Sequence, residues 1–351
     1  MLAIERASAQ QEGSRQVFIP LLLLTCLIVS VLSLGIGGVS IAPSKVLSML
    51  FSVGNESLTH AIIWEIRLPR VVLSLVVGAG LGVCGAAMQA IFRNPLADPG
   101  LIGVSSGAAL GAVTVIVLGN TLFNDFANTF GIYAVPVGAF LGCLAVCAII
   151  YRLSAHAGQF TIISLLLAGI AVSAIVGALI GFMTLISTDQ QLRDMTFWSM
   201  GSLAGNHWQL IFPSLIAIIA ASLAMVRLSV PLNLYLLGEN QAKHLGIDVT
   251  GLKKRVFLYT AVAVGASVAI TGVIGFVGFI VPHIIRLIIG PDHRYLMPAS
   301  MLLGAILLTL SDLLARTIIL PAEMPIGLIT SAIGGPFFLL MLMKTYQKIG
   351  H

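Results

Sequence analysis

Charged residues make up only 9% of this 351-residue chain, so the position of each one carries information. Arginine is the group best suited to recognition here, because its planar fork binds carboxylates in a bidentate fashion. Arg67 and Arg70 open an apolar run in Arg67-Leu68-Pro69-Arg70, and Arg93-Asn94-Pro95-Leu96-Ala97-Asp98-Pro99-Gly100 closes it. Arg316 follows Asp312 by one helical turn, a spacing at which the two can pair. Arg193 lies in Gln191-Leu192-Arg193-Asp194-Met195-Thr196-Phe197-Trp198-Ser199-Met200, just past an apolar stretch. A charge at bilayer depth costs roughly 2.5–3.5 kcal/mol on insertion scales. Arg193 is therefore expected to face a wet cavity or a partner, or to pair with Asp189 or Asp194. Met195, Phe197, Trp198 and Met200 suit a flat apolar ligand and suit a membrane interface equally.

Other reactive groups do not assemble into a catalytic pattern. Cys26, Cys84, Cys143 and Cys147 all lie within apolar runs, where small packing residues are expected. His60, His156, His207, His244, His283, His293 and His351 are scattered, without metal-ligand spacing or a C-x-x-C-H haem attachment motif. No metal site is assigned. The sequence has no G-x-x-x-x-G-K-[ST] phosphate loop, so the chain is not expected to bind ATP with its own backbone amides.

The elements that must position these residues are membrane helices. The chain is 58% hydrophobic with a mean hydropathy of +1.06, whereas a soluble domain carries about 25% charged residues. Lipid must be its main solvent. A net charge of +5 and a pI near 9.2 fit cationic loops that set membrane orientation better than nucleic-acid binding. The polar start with Arg6 and Arg15 leads into an apolar run from Val17 to about Val39, longer than the ~7–15 residues of a signal-peptide core, so it reads as a retained first span. A span needs roughly 20 apolar residues. Candidates are 17–39, 70–92, 99–118, 132–151, 160–187, 209–228, 256–280, 295–319 and 325–343, with a short tenth element over 282–290. Ten crossings leave only Lys45, Arg67, Arg70, Arg193 and Arg316 outside, of 18 Lys and Arg. Lys344 and Lys348 join the inside set, and both termini fall in the cytoplasm. The fold class expected is an all-α membrane protein of ten transmembrane helices, some short or broken, over 1–351 as a single domain.

Gly78/Gly82, Gly107/Gly111, Gly138/Gly142 and Gly177/Gly181 form small-xxx-small pairs, which are packing marks in lipid. Arg70-Val71-Val72-Leu73 is echoed by Arg255-Val256-Phe257-Leu258, with Gly80 matching Gly265, which suggests an inverted repeat. Between two spans lies a long cytoplasmic segment, 227–255. In it Leu234, Leu237, Ala242 and Leu245 form an apolar stripe, with Glu239, Asn240, Lys243 and His244 elsewhere and Gly238 and Gly246 as punctuation. One or two short helices outside the membrane are expected, with an exposed strip that suits a partner or the lipid headgroups.

Taken together, the R-L-P-R entry, the N-P-L-A-D-P-G break, Leu237–Gly246, Gly275-Phe276-Val277-Gly278-Phe279-Ile280-Val281-Pro282-His283, Pro325-Ile326-Gly327 and Gly334-Gly335-Pro336-Phe337-Phe338 resemble one family. It is the permease family of type II bacterial ABC importers for iron-siderophores, haem and cobalamin. The segment around Arg193 looks most like the haem-importing members. The resemblance covers about 60–343 and implies a homodimer in the inner membrane, two ATPase subunits that bind ATP and Mg, and a periplasmic binding protein. It implies that Gly238, Glu239, Ala242, Leu245 and Gly246 transmit ATPase closure. It implies that Arg67, Arg70 and Arg316 receive acidic residues of the binding protein. Arg193 would attract an anionic cargo at the pathway mouth, and haem carries two propionates. The pathway would run along the dimer axis, lined by 160–187 and 325–343. No chemistry on the cargo and no cofactor of the chain's own are implied. A ferric siderophore or cobalamin is the alternative cargo. An ion-coupled secondary transporter is the alternative class, and Asp312 would be its main candidate for a mid-span ion relay.

Overall fold

Proline and glycine cut a nearly continuous apolar sequence into helices that can each satisfy their own backbone, the condition for crossing lipid. The computed structural model describes residues 2–51, 58–156 and 159–349. The side chains of Arg6, Arg15, His156, Lys344 and Lys348, and all of His351, lie outside the described residues.

Helix α1 is Leu2–Gly35 and α2 is Pro43–Phe51. Helix α3, Leu58–Ala61, runs through a π-helical turn, Ile62–Arg67, into α4, Leu68–Phe92. A 3-10 turn, Pro99–Ile102, precedes α5, Val104–Leu118. Next come α6, Asn124–Phe130, and α7, Ala134–Ser154. A two-residue hairpin pairs β1, Ala155–His156, with β2, Gln159–Phe160. Helix α8 is Ile162–Leu185, α9 is Asp189–Met200, and α10 is Trp208–Val226. The short α11, Ser229–Leu236, and α12, Glu239–His244, lead to α13, Val249–Thr271. Helices α14, Val277–Ile289, α15, His293–Ala315, and α16, Ile326–Ile349, complete the chain.

Among the described residues, eight helices are long and apolar enough to cross a membrane, and two shorter apolar ones, Val104–Leu118 and Val277–Ile289, join them. Two expected spans are corrected. The expected 99–118 is interrupted, because Asp98 caps a 3-10 turn by accepting from the Gly100 amide at 2.7 Å and Gly103 turns left-handed at φ 80°. The expected 256–280 stops at Thr271, because Gly272 (φ 70°) and Phe276 (φ 67°) reverse the chain. The short tenth element is Val277–Ile289, starting five residues before the expected 282.

The centre of the bundle is α4, with 78% of its apolar window buried, whereas α1, α8 and α16 bury only 22% of theirs. Glycine makes that centre compact. A Cβ on Gly78 would strike the Gly304 carbonyl of α15, and one on Gly82 would strike the Ser300 carbonyl. Gly85 lies against the Gly278 carbonyl of α14, and Gly107 and Gly111 lie against Gly142 and Gly138 across α5 and α7. Such backbone contact supplies the close packing that apolar side chains cannot drive in lipid. Gly177 and Gly181 differ: nothing within 4 Å would meet their Cβ atoms, so this expected packing pair has no partner inside the described chain.

Gly85→Val should drive α4 off α14 and cost about 1–3 kcal/mol or more, the usual penalty of overpacking. Gly177→Ala should leave the fold of the chain intact. Thermal unfolding in detergent separates the two, and equal midpoints for both variants would refute the packing argument.

Candidate functional site

Functional side chains gather at the two ends of the bundle. Arg67, Arg70 and Arg316 stand at one end and are all more than nine-tenths buried. The Arg70 guanidinium donates to Asp312 at 2.9 Å and to Glu323 at 2.9 Å. Arg316 pairs with Asp312 at 3.6 Å and donates to the Ser33 carbonyl at 2.6 Å. Arg67 donates to the carbonyls of Leu34 at 2.6 Å and Gly35 at 2.9 Å, and to that of Val39. Within the chain the three cations expected to dock a partner tie α1, α4 and α15 together. Burial wins because a guanidinium this deep needs acceptors at once, and the C-terminal carbonyls of α1 and the Asp312 carboxylate provide them. The i,i+4 pairing of Asp312 with Arg316 is as the spacing predicted.

The opposite end carries the segment 227–255. The two expected short helices are α11 and α12, and Gly238 (φ 133°) and Gly246 (φ 82°) adopt backbone that favours glycine on either side of α12. The expected apolar stripe is divided. Ala242 is fully buried against the bundle, whereas Leu237 and Leu245 are 62% and 56% exposed. A surface knob thus sits on an anchored helix.

Three residues that received no role from the sequence make the anchor. Arg93 ends α4 in a left-handed conformation, φ 49°, uncommon for a non-glycine residue. It donates to the Tyr235 carbonyl at 2.7 Å and lies 4.6 Å from the centre of that ring. The Tyr235 hydroxyl shares its one proton between Glu239 at 2.9 Å and, more weakly, the Ile91 carbonyl at 3.3 Å. Lys253 of α13 holds the same Glu239 oxygen at 2.6 Å. Burial works to raise the Glu239 carboxyl, but the Lys253 ammonium and the Tyr235 hydroxyl override it and hold the carboxyl below its ordinary range. Burial and the Glu239 carboxylate push the Tyr235 phenol up. Next to this cluster, the Arg294 hydrogen bond holds Asp292 down to about 2, and Asn233 bridges Asp292 and His293. The contacts of Arg93 and Tyr235 span 142 residues, and no local pattern signals them.

Arg193 lies on α9, whose start is fixed by a capping box of Thr188 and Gln191. It is exposed, and its hydrogen bond goes to the Gln190 amide oxygen at 3.3 Å. Asp194, an expected pairing partner, is taken by Gln190 at 3.0 Å, and Arg193 has no carboxylate partner among the described residues. Of the aromatic and thioether neighbours, Met195 is buried against Val113 and Val117, so it cannot face a ligand, whereas Phe197 is exposed. The adjoining α8 buries only a stripe of Leu165, Gly169, Val172 and Val176 and leaves Ile163, Leu167, Ile170, Leu179 and Phe182 uncovered. Among the described residues no group of three or more His, Cys, Asp or Glu could hold a metal ion.

An all-helical bundle with a glycine-packed centre, an anchored helix pair at one end and three poorly covered spans is the architecture of a multi-pass membrane permease. Residues 23–344 match the FecCD transport family, and the chain belongs to it. The chain is 47% identical over 295 residues to the hemin transport system permease protein HmuU of Yersinia pestis, covering 84% of this chain and 86% of that protein. It is 38% identical over 338 residues to the vitamin B12 import system permease protein BtuC of Citrobacter koseri, covering 96% and 97%. A solved metal-chelate type ABC transporter in an inward-facing conformation superposes with a TM-score of 0.81 at 35% identity, covering 93% of this chain and 98% of that one. The protein is the permease subunit of an ABC importer, a transport component and not an enzyme. The ion-driven alternative is set aside, and its candidate relay, Asp312, is fully buried between two arginines.

Asp312→Ala should destabilise the chain by about 3–5 kcal/mol, because it removes the buried carboxylate that two guanidinium groups share and leaves Arg316 with carbonyl and hydroxyl acceptors only. Thermal unfolding in detergent reads this. A loss below about 1 kcal/mol would mean that the arginines find other acceptors.

Proposed function

We propose that this chain forms a homodimer in the bacterial inner membrane and moves haem from a periplasmic binding protein into the cytoplasm, driven by ATP and Mg in two partner ATPase subunits. The observation that carries the cargo is the 47% identity to a hemin permease, against 38% for the cobalamin and vitamin B12 permeases. Arg193 supports it: an exposed arginine without a carboxylate partner among the described residues stands ready for a propionate. The vitamin B12 relatives keep a second cargo in view, and the same machine could carry cobalamin or a ferric siderophore.

In this reading each chain crosses the bilayer ten times, with α5 and α14 as the two short crossings and both termini in the cytoplasm. The helices α8 and α16, with the open Gly177 and Gly181, face the dimer axis and line the path. The segment 227–255 meets the ATPase through Leu245, with Gly238 and Gly246 as its turns. Ala242 and Glu239 act from behind by fixing α12 to the bundle. Alternation between faces requires that nucleotide or loaded binding protein bind the two states unequally. The route for that difference is the Glu239 carboxylate, which joins α12 to α13 through Lys253 and to α4 through Tyr235. Arg67, Arg70 and Arg316 reach the binding protein only indirectly, by fixing the surface on which it lands.

Arg193→Ala should lower ATP-dependent haem uptake into proteoliposomes by about 5-fold or more while leaving the ATPase response to the binding protein as it is. Unchanged haem uptake with an intact ATPase response would remove Arg193 from the pathway. Tyr235→Phe keeps the ring beneath Arg93 but loses the hydroxyl. It should lower haem moved per ATP hydrolysed, and Lys253→Met should lower it further. If ATP hydrolysis and transport fall in the same proportion, the coupling route proposed for Glu239 is wrong.

A further inference from the structure

Outside the two ends of the bundle, an apolar trough runs between α7 and α13. Leu144, Cys147, Ala148 and Tyr151 form one wall and Phe257, Leu258 and Ala261 the other, around about 180 Å³. The Tyr151 and Phe257 rings meet across it, tilted by 45° with centroids 5.7 Å apart. At one end stands Lys254, exposed and without an ion pair among the described residues. Arg152, the residue after Tyr151, is exposed at the same end of α7.

The dimensions select the occupant. From Lys254 to Ala261 is seven residues of helix, about 10 Å. That is within one leaflet of a hydrocarbon core of about 30 Å. A partner's spanning helix would need a groove through both leaflets. Here the trough shares no lining residue with a second cavity, lined by Tyr133, Phe140, Leu210 and Pro213, and the Cys143 thiol lies against Gly265 where α7 meets α13. An acyl chain fits one leaflet. The cation at the mouth adds charge selection, since basic groups at cytoplasmic grooves between helices attract anionic headgroups. Residues of α8 and α16 do not line the trough, so it lies off the faces proposed to meet a second copy.

We propose that the α7–α13 trough binds one anionic phospholipid of the cytoplasmic leaflet, with an acyl chain between Ala148 and Leu258 and the headgroup phosphate on Lys254. This rests on the orientation proposed above, which puts Lys254 at the cytoplasmic face. The preceding residue, Lys253, holds Glu239, so an occupied trough steadies the part of α13 that anchors the coupling segment.

The test is lipid titration of the delipidated full-length chain in detergent, read by native mass spectrometry and by thermal midpoint. Phosphatidylglycerol should bind more tightly than phosphatidylcholine and raise the midpoint. Lys254→Gln should weaken phosphatidylglycerol by about 5-fold and leave phosphatidylcholine unchanged, the factor expected for one cation near the membrane surface. Ala148→Phe, which fills the trough from an exposed position, should weaken both lipids. Equal binding of the two lipids to the unaltered chain would overturn the proposal, and so would a preference that survives Lys254→Gln. Displacement of phosphatidylglycerol by inorganic phosphate at similar concentration would mean a bare phosphate site and would also overturn it. The assay needs no transport, so its failure leaves the importer reading standing, and failure of haem import leaves the lipid result standing.

Discussion

The Asp312 carboxylate is the point on which one end of the bundle depends. It is fully buried and holds the Arg70 guanidinium directly and the Arg316 guanidinium one turn away. Arg70 extends to Glu323, Arg316 to Ser33, and Arg67 to the last carbonyls of α1. A buried ion pair gives little net stability against an apolar replacement, but losing one member is costly. Its value here is geometric: it sets where α1 ends, where α4 begins and how the chain leaves α15.

The opposite end follows a different logic. There one carboxylate, Glu239, gathers a phenol and an ammonium from separate elements beneath two exposed leucines. The Asp312 knot is sealed, whereas this cluster is partly open to solvent. Between the ends, α4 meets α14 and α15 through glycines whose backbones touch, so the centre transmits displacement with little room to absorb it. The poorly covered α8 and α16 have no such contacts on their open faces, which suits helices that meet a second copy or a passing cargo.

Membrane class, helix existence and the position of the 227–255 segment were legible in the sequence, because hydropathy and glycine spacing are local signals. The Gly78/Gly82 and Gly107/Gly111 pairs read correctly as packing marks, since backbone approach demands glycine whatever the neighbour is. The same spacing at Gly177/Gly181 read alike and packs against nothing among the described residues. Spacing reports that a surface is flat and does not report what covers it. The break between α13 and α14 was misplaced because Val273 and Ile274 continue the apolar run through it, and only the left-handed turns at Gly272 and Phe276 end the helix.

The sequence by itself therefore determined the solvent, the helices and the family, since each depends on residue type and short-range order. The roles of the arginines were decided by tertiary structure. Arg67, Arg70 and Arg316 read as surface cations and proved to be internal struts, because their acceptors come from α1, α15 and Glu323, up to 283 residues away. Arg93 and Tyr235 became a clamp by the same route. A charge announces itself in one dimension, but whether it is free or neutralised depends on which carbonyls and carboxylates the fold brings within 3 Å.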